Sequence, residues 1–201
     1  MPTLPKGAYC IVDDSAGQPP AALVAELVAG GAAVVQLRFK HLGAGALLRA
    51  ACAAKLVCAG RAVLLINDRP DVARLSGADG VHLGQDDLPV AEARKLLGPA
   101  AIIGLSTHSD AELDASDGAD YVGFGPVFAT GSKPGRPLPP PHGLDGLRRA
   151  VHRARVPLVA IGGITAGNVR AVAETGAHGA ASIAELSAHP ERVGAFAEAF
   201  R

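Results

Sequence analysis

The sequence predicts an α/β chain whose strands close into a (β/α)8 barrel, and three observations carry that expectation. Short apolar, β-branched runs alternate with longer Ala/Leu-rich amphipathic stretches. Eight such runs occur along the 201 residues, with starts mostly about two dozen residues apart, near the minimum length of a βα unit with its loops. The runs are apolar on both faces, as strands of a parallel sheet covered by helices must be.

The strand candidates are Tyr9–Val12, Ala33–Leu37, Ala62–Ile66, Gly80–Leu83, Ala101–Leu105, Tyr121–Val127, Pro157–Ile161 and Gly179–Ile183. Helical patterns follow at Ala21–Ala29, Leu47–Cys58, Pro89–Leu97, Asp110–Ser116, Leu144–Val151, Asn168–Glu174 and Ala195–Phe200. Pro89 opens its stretch, where a missing N–H costs nothing. Repeated eight times, the unit predicts a TIM barrel as a single domain over residues 1–201. That length is short for the fold, whose typical size is about 250 residues, so loops must be lean. The alternative, an open doubly wound sheet, needs a glycine-rich fingerprint after the first strand. The chain has SAGQPP there.

Composition narrows the function. Nineteen basic and 19 acidic residues give a formal net charge of zero, which argues against a nucleic-acid partner. Few aromatics, 3% of the chain, disfavour base-stacking platforms too. No apolar run approaches the roughly 18–20 residues of a membrane span, and the start lacks a signal-peptide pattern. The three cysteines Cys10, Cys52 and Cys58 are read as buried spectators. A reducing, cytoplasmic setting is the default expectation, and a homo-oligomer is left open.

A barrel carries its active site at the C-terminal ends of its strands, so the residues that follow each run are the candidates for chemistry. Gln36, Arg38 and Lys40 alternate at the end of the second run and share one side, a grip for an anion. The third run ends in Asn67-Asp68 and the fourth in His82-Leu83-Gly84-Gln85-Asp86-Asp87. Carboxylates on adjacent strand ends, without a Cys/His cluster, suit Mg²⁺ shared with substrate phosphates. The plainer reading makes Asp68 and Asp87 helix caps before Pro70 and Pro89. Ser106-Thr107-His108 carries no obvious nucleophile pair, and Thr107–Asp110 also reads as a helix start. Thr130, Ser132 and Lys133 bracket Gly131 in the Pro/Gly-rich stretch Ala129–His142 and suggest an anion-holding loop. Gly162-Gly163 after the seventh run suit close approach of backbone N–H groups to a phosphate, or simply a turn. Together these features point to small phosphorylated substrates with Mg²⁺ rather than a redox cofactor.

The motifs QLRFK, INDRPDVA, GVHLGQDDLP, GLSTH, DYVGFGPVFATGSK and AIGGIT, in this order, resemble the thiamine-phosphate synthase family over nearly the whole chain. The resemblance implies a transferase that joins 4-amino-2-methyl-5-diphosphooxymethylpyrimidine to a thiazole phosphate and releases pyrophosphate. It implies that Gln36, Arg38 and Lys40, with Asn67, Ser106 and Lys133, hold the pyrimidine diphosphate, and that Asp68 and Asp87 hold Mg²⁺. Thr130 and Ser132 match the hydroxyl pair near the thiazole phosphate. Gly163 and Ile183-Ala184 match the phosphate cradle. Arg38, Lys40, Ser106 and Lys133 are the implied catalytic residues. The chain departs from the family at Ala184, where a Ser is usual, in the PLPPPHG segment, and at Asp13-Asp14. Ser182, in alternation with Ala184, is the candidate substitute for the missing hydroxyl. The rival is a thiazole tautomerase on the same barrel acting through His108; a non-catalytic precursor binder is the third reading.

Overall fold

The structure, a computed structural model, describes residues 3–131 and 139–201. Eight parallel strands close into a barrel in sequence order: β1 (Gly7–Asp13), β2 (Val34–Arg38), β3 (Val63–Asn67), β4 (Gly80–Leu83), β5 (Ile102–Thr107), β6 (Tyr121–Phe124), β7 (Leu158–Ile161) and β8 (Gly179–Ser182). Closure is direct: Gly7 pairs with Gly179 and Cys10 with Ser182. The helices among the described residues are α1 (Pro20–Ala29), α2 (Ala44–Cys58), α3 (Pro70–Ser76), α4 (Val90–Leu97), α5 (Asp110–Asp114), α6 (Gly143–Arg153), α7 (Val169–Ala173), α8 (Ala184–Ala188) and α9 (Val193–Ala199). No helix is long and apolar enough to cross a membrane among those residues.

Strand alternation divides the apolar residues into two cores. Ala8, Cys10, Val35, Leu37, Leu64, Ile66, Val81 and Ile103 face outward and pack under the helices. Tyr9, Ile11, Val34, Leu65, Ile102, Tyr121, Val159 and Ala181 face the barrel axis. Each fully buried Leu or Ile contributes about 1.5–3 kcal/mol, so the outer layer supplies much of the driving force. The N-terminal end of the barrel is fastened by one device used twice. Asp79, just before β4, accepts from Leu64 N at 2.8 Å and Lys55 Nζ at 2.6 Å. Asp120, just before β6, accepts from Ile103 N at 2.8 Å and Arg94 Nη2 at 2.5 Å. Stability thus concentrates at the face opposite the strands' C-terminal ends.

The differences from the sequence reading have local causes. The sixth strand stops at Phe124 rather than Val127, because Pro126 offers no N–H to a ladder. Val127 N and Phe128 N instead donate to Ile161 O and Gly162 O, both at 2.9 Å. The eighth stops at Ser182, and Ala184 begins a helix. The seven-residue α3 adds to the helical stretches named above; Pro70 opens it and Gly77 closes it with φ +68°, the usual asymmetry of helix ends. Cys10 and Cys58 are buried as expected, but Cys52 is exposed. It lies in α2 between the buried Ala51 and Ala54 and turns to the solvent side.

Candidate active site

Apart from Tyr9 and Tyr121, the polar side chains at inward strand positions lie toward the C-terminal ends of the strands. On β2 the inward phase runs Val34, Gln36, Arg38, so an apolar core residue is succeeded by an amide and then a cation. β3 ends its inward phase at Asn67, β4 at His82 and β5 at Ser106. These side chains line an inner cavity of about 50 Å³, with Tyr9, Tyr121 and Gly123. Gln36 is only 2% exposed, deeper than a solvated strand end. Arg38 stands 3.7 Å from Asp13, which also accepts from Ser15 N at 3.0 Å. Asp14 accepts from Lys40 N at 2.8 Å, so the Asp13-Asp14 pair anchors the start of the β2 loop.

A larger cavity of about 280 Å³ adjoins it, lined by Thr130, Gly162, Gly163, Thr165, Ile183, Ala184 and Glu185 among others. His108, Ile161, Ala181 and Ile183 line both spaces and form their common wall. His108 is oriented by Glu112, which accepts from its backbone N at 2.6 Å and lies 3.2 Å from its Nδ1.

The third cluster is charged. Asp68 follows β3 directly with φ +60°, a left-handed backbone that non-glycine residues adopt at a cost and that concentrates at functional sites. Its N–H donates to His82 O at 2.9 Å. Its carboxyl pairs with Lys40 Nζ and shares a hydrogen bond with Asp87. Burial pushes Asp68 up, but its bonds to Asp87 and Lys40 outweigh this and hold it below the usual carboxylate range. Burial, and then Asp68 itself, hold Asp87 above that range. Two like charges this close cannot both ionise freely without a cation. Among the described residues no third His, Cys, Asp or Glu completes a cluster. Two hard oxygen donors with room for other ligands fit Mg²⁺ better than a metal that demands an all-protein cage.

The expected site residues fall as follows. Gln36, Arg38, Asn67 and Ser106 share the inner cavity. Thr130, Gly163, Ile183 and Ala184 share the outer one. Lys40, Asp68 and Asp87 form the charged cluster. Ser132 and Lys133 lie outside the described residues, as do the prolines at 134 and 137. Neither aspartate is a helix cap. Arg69 and Pro89 occupy those positions, and the Asp87 carboxylate accepts from Gly84 N at 2.7 Å instead. Ser109 does cap α5, accepting from Glu112 N at 3.3 Å.

Gly163 has a packing reason of its own. With φ +64°, a Cβ there would lie 2.6 Å from Ala129 O and 2.7 Å from Phe128 Cβ, so only glycine lets the loops after β6 and β7 touch. Ser182 lines the same cavity as Ala184, but its hydroxyl proton is engaged. Its Oγ is buried and donates to Ile164 O at 3.2 Å, and alternation does not extend from a strand into a helix. The sequence reading passed over Tyr9 and Tyr121 and gave His82 no role. The available signal was the inward phase: each is a polar-tipped side chain on the axis-facing period of an otherwise apolar strand.

Comparison with known proteins gives one consistent result. A family model for thiamine monophosphate synthase matches residues 8–186. The chain is 46% identical over 194 residues to the thiamine-phosphate synthase of Anaeromyxobacter dehalogenans, spanning 94% of this chain and 85% of that protein. It is 46% identical over 185 residues to that of Chlorobium phaeovibrioides, spanning 90% and 87%. The solved thiamine phosphate pyrophosphorylase from Pyrococcus furiosus superposes with a TM-score of 0.83 at 32% identity, covering 97% of this chain and 96% of that one.

Proposed function

That this chain belongs to the thiamine monophosphate synthase family is the premise from which we infer its reaction. It is a thiamine-phosphate synthase, joining 4-amino-2-methyl-5-diphosphooxymethylpyrimidine to a thiazole phosphate and releasing pyrophosphate. The observation that supports this best is the pair of adjoining cavities with a common wall at His108, Ile161, Ala181 and Ile183. One carries Gln36, Arg38, Asn67 and Ser106; the other is lined by glycines and the hydroxyl residues Thr130, Thr165 and Ser182. The alternative, a thiazole tautomerase acting through His108, is set aside, because the relatives at this identity are synthases.

In our reading the pyrimidine ring enters the inner cavity and is held by Gln36, Asn67 and Ser106. Its diphosphate meets Arg38 and Lys40, and Lys133, outside the described residues, is assigned to the same group by the family resemblance. Asp68 and Asp87 would hold Mg²⁺, which would supply positive charge to offset that of a diphosphate. The thiazole phosphate takes the outer cavity, its phosphate beside Gly163, Thr130, Ser132 and the Ile183-Ala184 backbone. The C–O bond to the diphosphate breaks with its electron pair leaving on pyrophosphate. The electron-rich aminopyrimidine stabilises the resulting cation, and the thiazole nitrogen lone pair closes the new C–N bond. Such a step needs charge stabilisation and positioning rather than a protein nucleophile. Arg38 and Lys40 supply positive charge where negative charge develops. Three free cysteines suit a reducing, cytoplasmic setting.

The test is pyrophosphate release from purified protein. Release should require both substrates together and should vanish on chelation of Mg²⁺ with EDTA. Absence of release with both substrates and Mg²⁺ present would refute the reaction; release undiminished by EDTA would refute the metal.

A further inference from the structure

The loop after β7 turns its carbonyls to partners within the protein. Ile161 O and Gly162 O accept from Val127 N and Phe128 N, both at 2.9 Å. Gly163 O accepts from Asn168 Nδ2 at 3.0 Å, and Ile164 O from Ser182 Oγ at 3.2 Å. Thr165 O accepts from Asn168 N at 3.1 Å and Val169 N at 3.0 Å. The last of these donors in the loop is Ala166 N, which reaches Glu185 Oε1 at 3.2 Å. Every carbonyl from Ile161 to Thr165 thus has a donor of its own, which suits the outer cavity to an anion.

One wall residue runs against that character. Among the described residues Glu185 is the only carboxylate lining this cavity, and its side chain is 14% exposed. Burial pushes its carboxyl up, but the bonds from Ala166 N and Arg192 outweigh this and hold it below the usual carboxylate range. Glu185 is therefore charged at neutral pH. A phosphate ester there carries nearly two negative charges, and like charges at close range repel. The counter-charge comes from seven positions further on, where Arg192 Nη1 lies 3.0 Å from Glu185 Oε1. α8 ends at His189, whose φ of −136° leaves the helix. The 3-10 turn Pro190–Arg192 then returns the guanidinium to the first turn of α8. Glu191 competes for it more distantly, 3.9 Å from Arg192 Nε, and also lies 3.3 Å from His189 Nδ1. The cavity is lined by Glu185 and not by Arg192, so any effect of Arg192 passes through the carboxylate.

We propose that Arg192 is a positioning residue that neutralises and holds Glu185, so that the outer cavity accepts a phosphate ester beside a carboxylate that would otherwise repel it. This deepens the reading given above and rests on it for the identity of the ester. Glu185 in turn fixes the loop through Ala166 N, and Arg192 lets it do so without opposing the ligand.

The test is a charge cycle on four proteins: wild type, Arg192→Ala, Glu185→Gln and the double variant. Steady-state pyrophosphate release gives KM and kcat. Arg192→Ala should raise KM for the thiazole phosphate about three- to tenfold and leave kcat and KM for the pyrimidine diphosphate unmoved. Glu185→Gln keeps an oxygen for Ala166 N and removes the charge. Its KM should be no higher than that of the wild type, and the double variant should return to within about twofold of it. Arg192→Lys, which keeps the charge, should lie closer to wild type than Arg192→Ala. An unchanged KM in Arg192→Ala overturns the proposal. So does a rise that Glu185→Gln fails to reverse, or one matched by an equal loss of kcat, because the pair then only braces the fold. Inorganic phosphate titrated calorimetrically into the same four proteins repeats the cycle without the reaction, and its affinity should fall about three- to tenfold in Arg192→Ala and recover in the double variant. Release without the charge pattern sinks the pair alone. The phosphate pattern without release sinks the reaction alone, and the absence of both sinks both.

Discussion

Gly104→Ala places one methyl group where the structure has no room for it. The added Cβ would fall within the Tyr121 phenol, well under the 3.0 Å that real Cβ contacts essentially never breach. Tyr121 is fully buried, and its hydroxyl is held at 2.7 Å by both Tyr9 and His82, so the ring cannot retreat without breaking those bonds. Overpacking costs about 1–3 kcal/mol, and two lost hydrogen bonds cost about 0.5–1.5 kcal/mol each. The destabilisation should be about 2–6 kcal/mol, or a Tm lower by roughly 4–24 °C for a chain of this size. The assay is thermal unfolding followed by circular dichroism. Gly194→Ala is the control: nothing lies within 4 Å of its Cβ position in α9, and it should gain about 0.5–1 kcal/mol from helix propensity. A Gly104→Ala protein that melts within about 2 °C of wild type would show that the Tyr121 ring has space the structure does not give it.

Asp87→Asn keeps an oxygen to accept from Gly84 N, so the fold should persist, while turnover at limiting Mg²⁺ should fall by about tenfold or more as one hard donor loses its charge; unchanged Mg²⁺ dependence removes Asp87 from the metal site. Ala184→Ser adds one hydroxyl to the outer cavity, and steady-state kinetics should show KM for the thiazole phosphate falling by up to about tenfold with KM for the pyrimidine diphosphate unmoved; an unchanged or raised thiazole KM rejects the carry-over of the family's serine to this position. Brief alkylation of the native protein at pH 8, read by mass spectrometry, should label the exposed Cys52 first. Burial raises the Cys10 thiol and pushes Cys58 up to about 11; a thiol below its pKa stays protonated, so both should react only after unfolding, and early labelling of Cys58 would contradict its burial.

By itself the sequence determined the barrel and the face on which the chemistry sits. Apolar runs alternating with amphipathic stretches leave a parallel sheet little choice, and eight of them close it; positions 36, 38, 68, 87 and 163 stand out at the ends of the runs, because strand direction alone sends those residues to one end, while 67 and 106 are singled out by the family resemblance. Three matters were settled only by the tertiary structure. Asp68 and Asp87 look like helix caps locally, and only the packing of the β3 and β4 loops turns their carboxyls toward each other. Ser182 looks like a substitute donor, and only the fold shows that it lines the outer cavity with its hydroxyl donating to Ile164 O. Tyr9, Tyr121 and His82 are separated by as many as 112 positions between the two tyrosines, and no local pattern relates them. Periodicity is a property of one strand. Which inward side chains meet across the axis depends on the register and closure of all eight strands, and that is fixed only when the barrel forms.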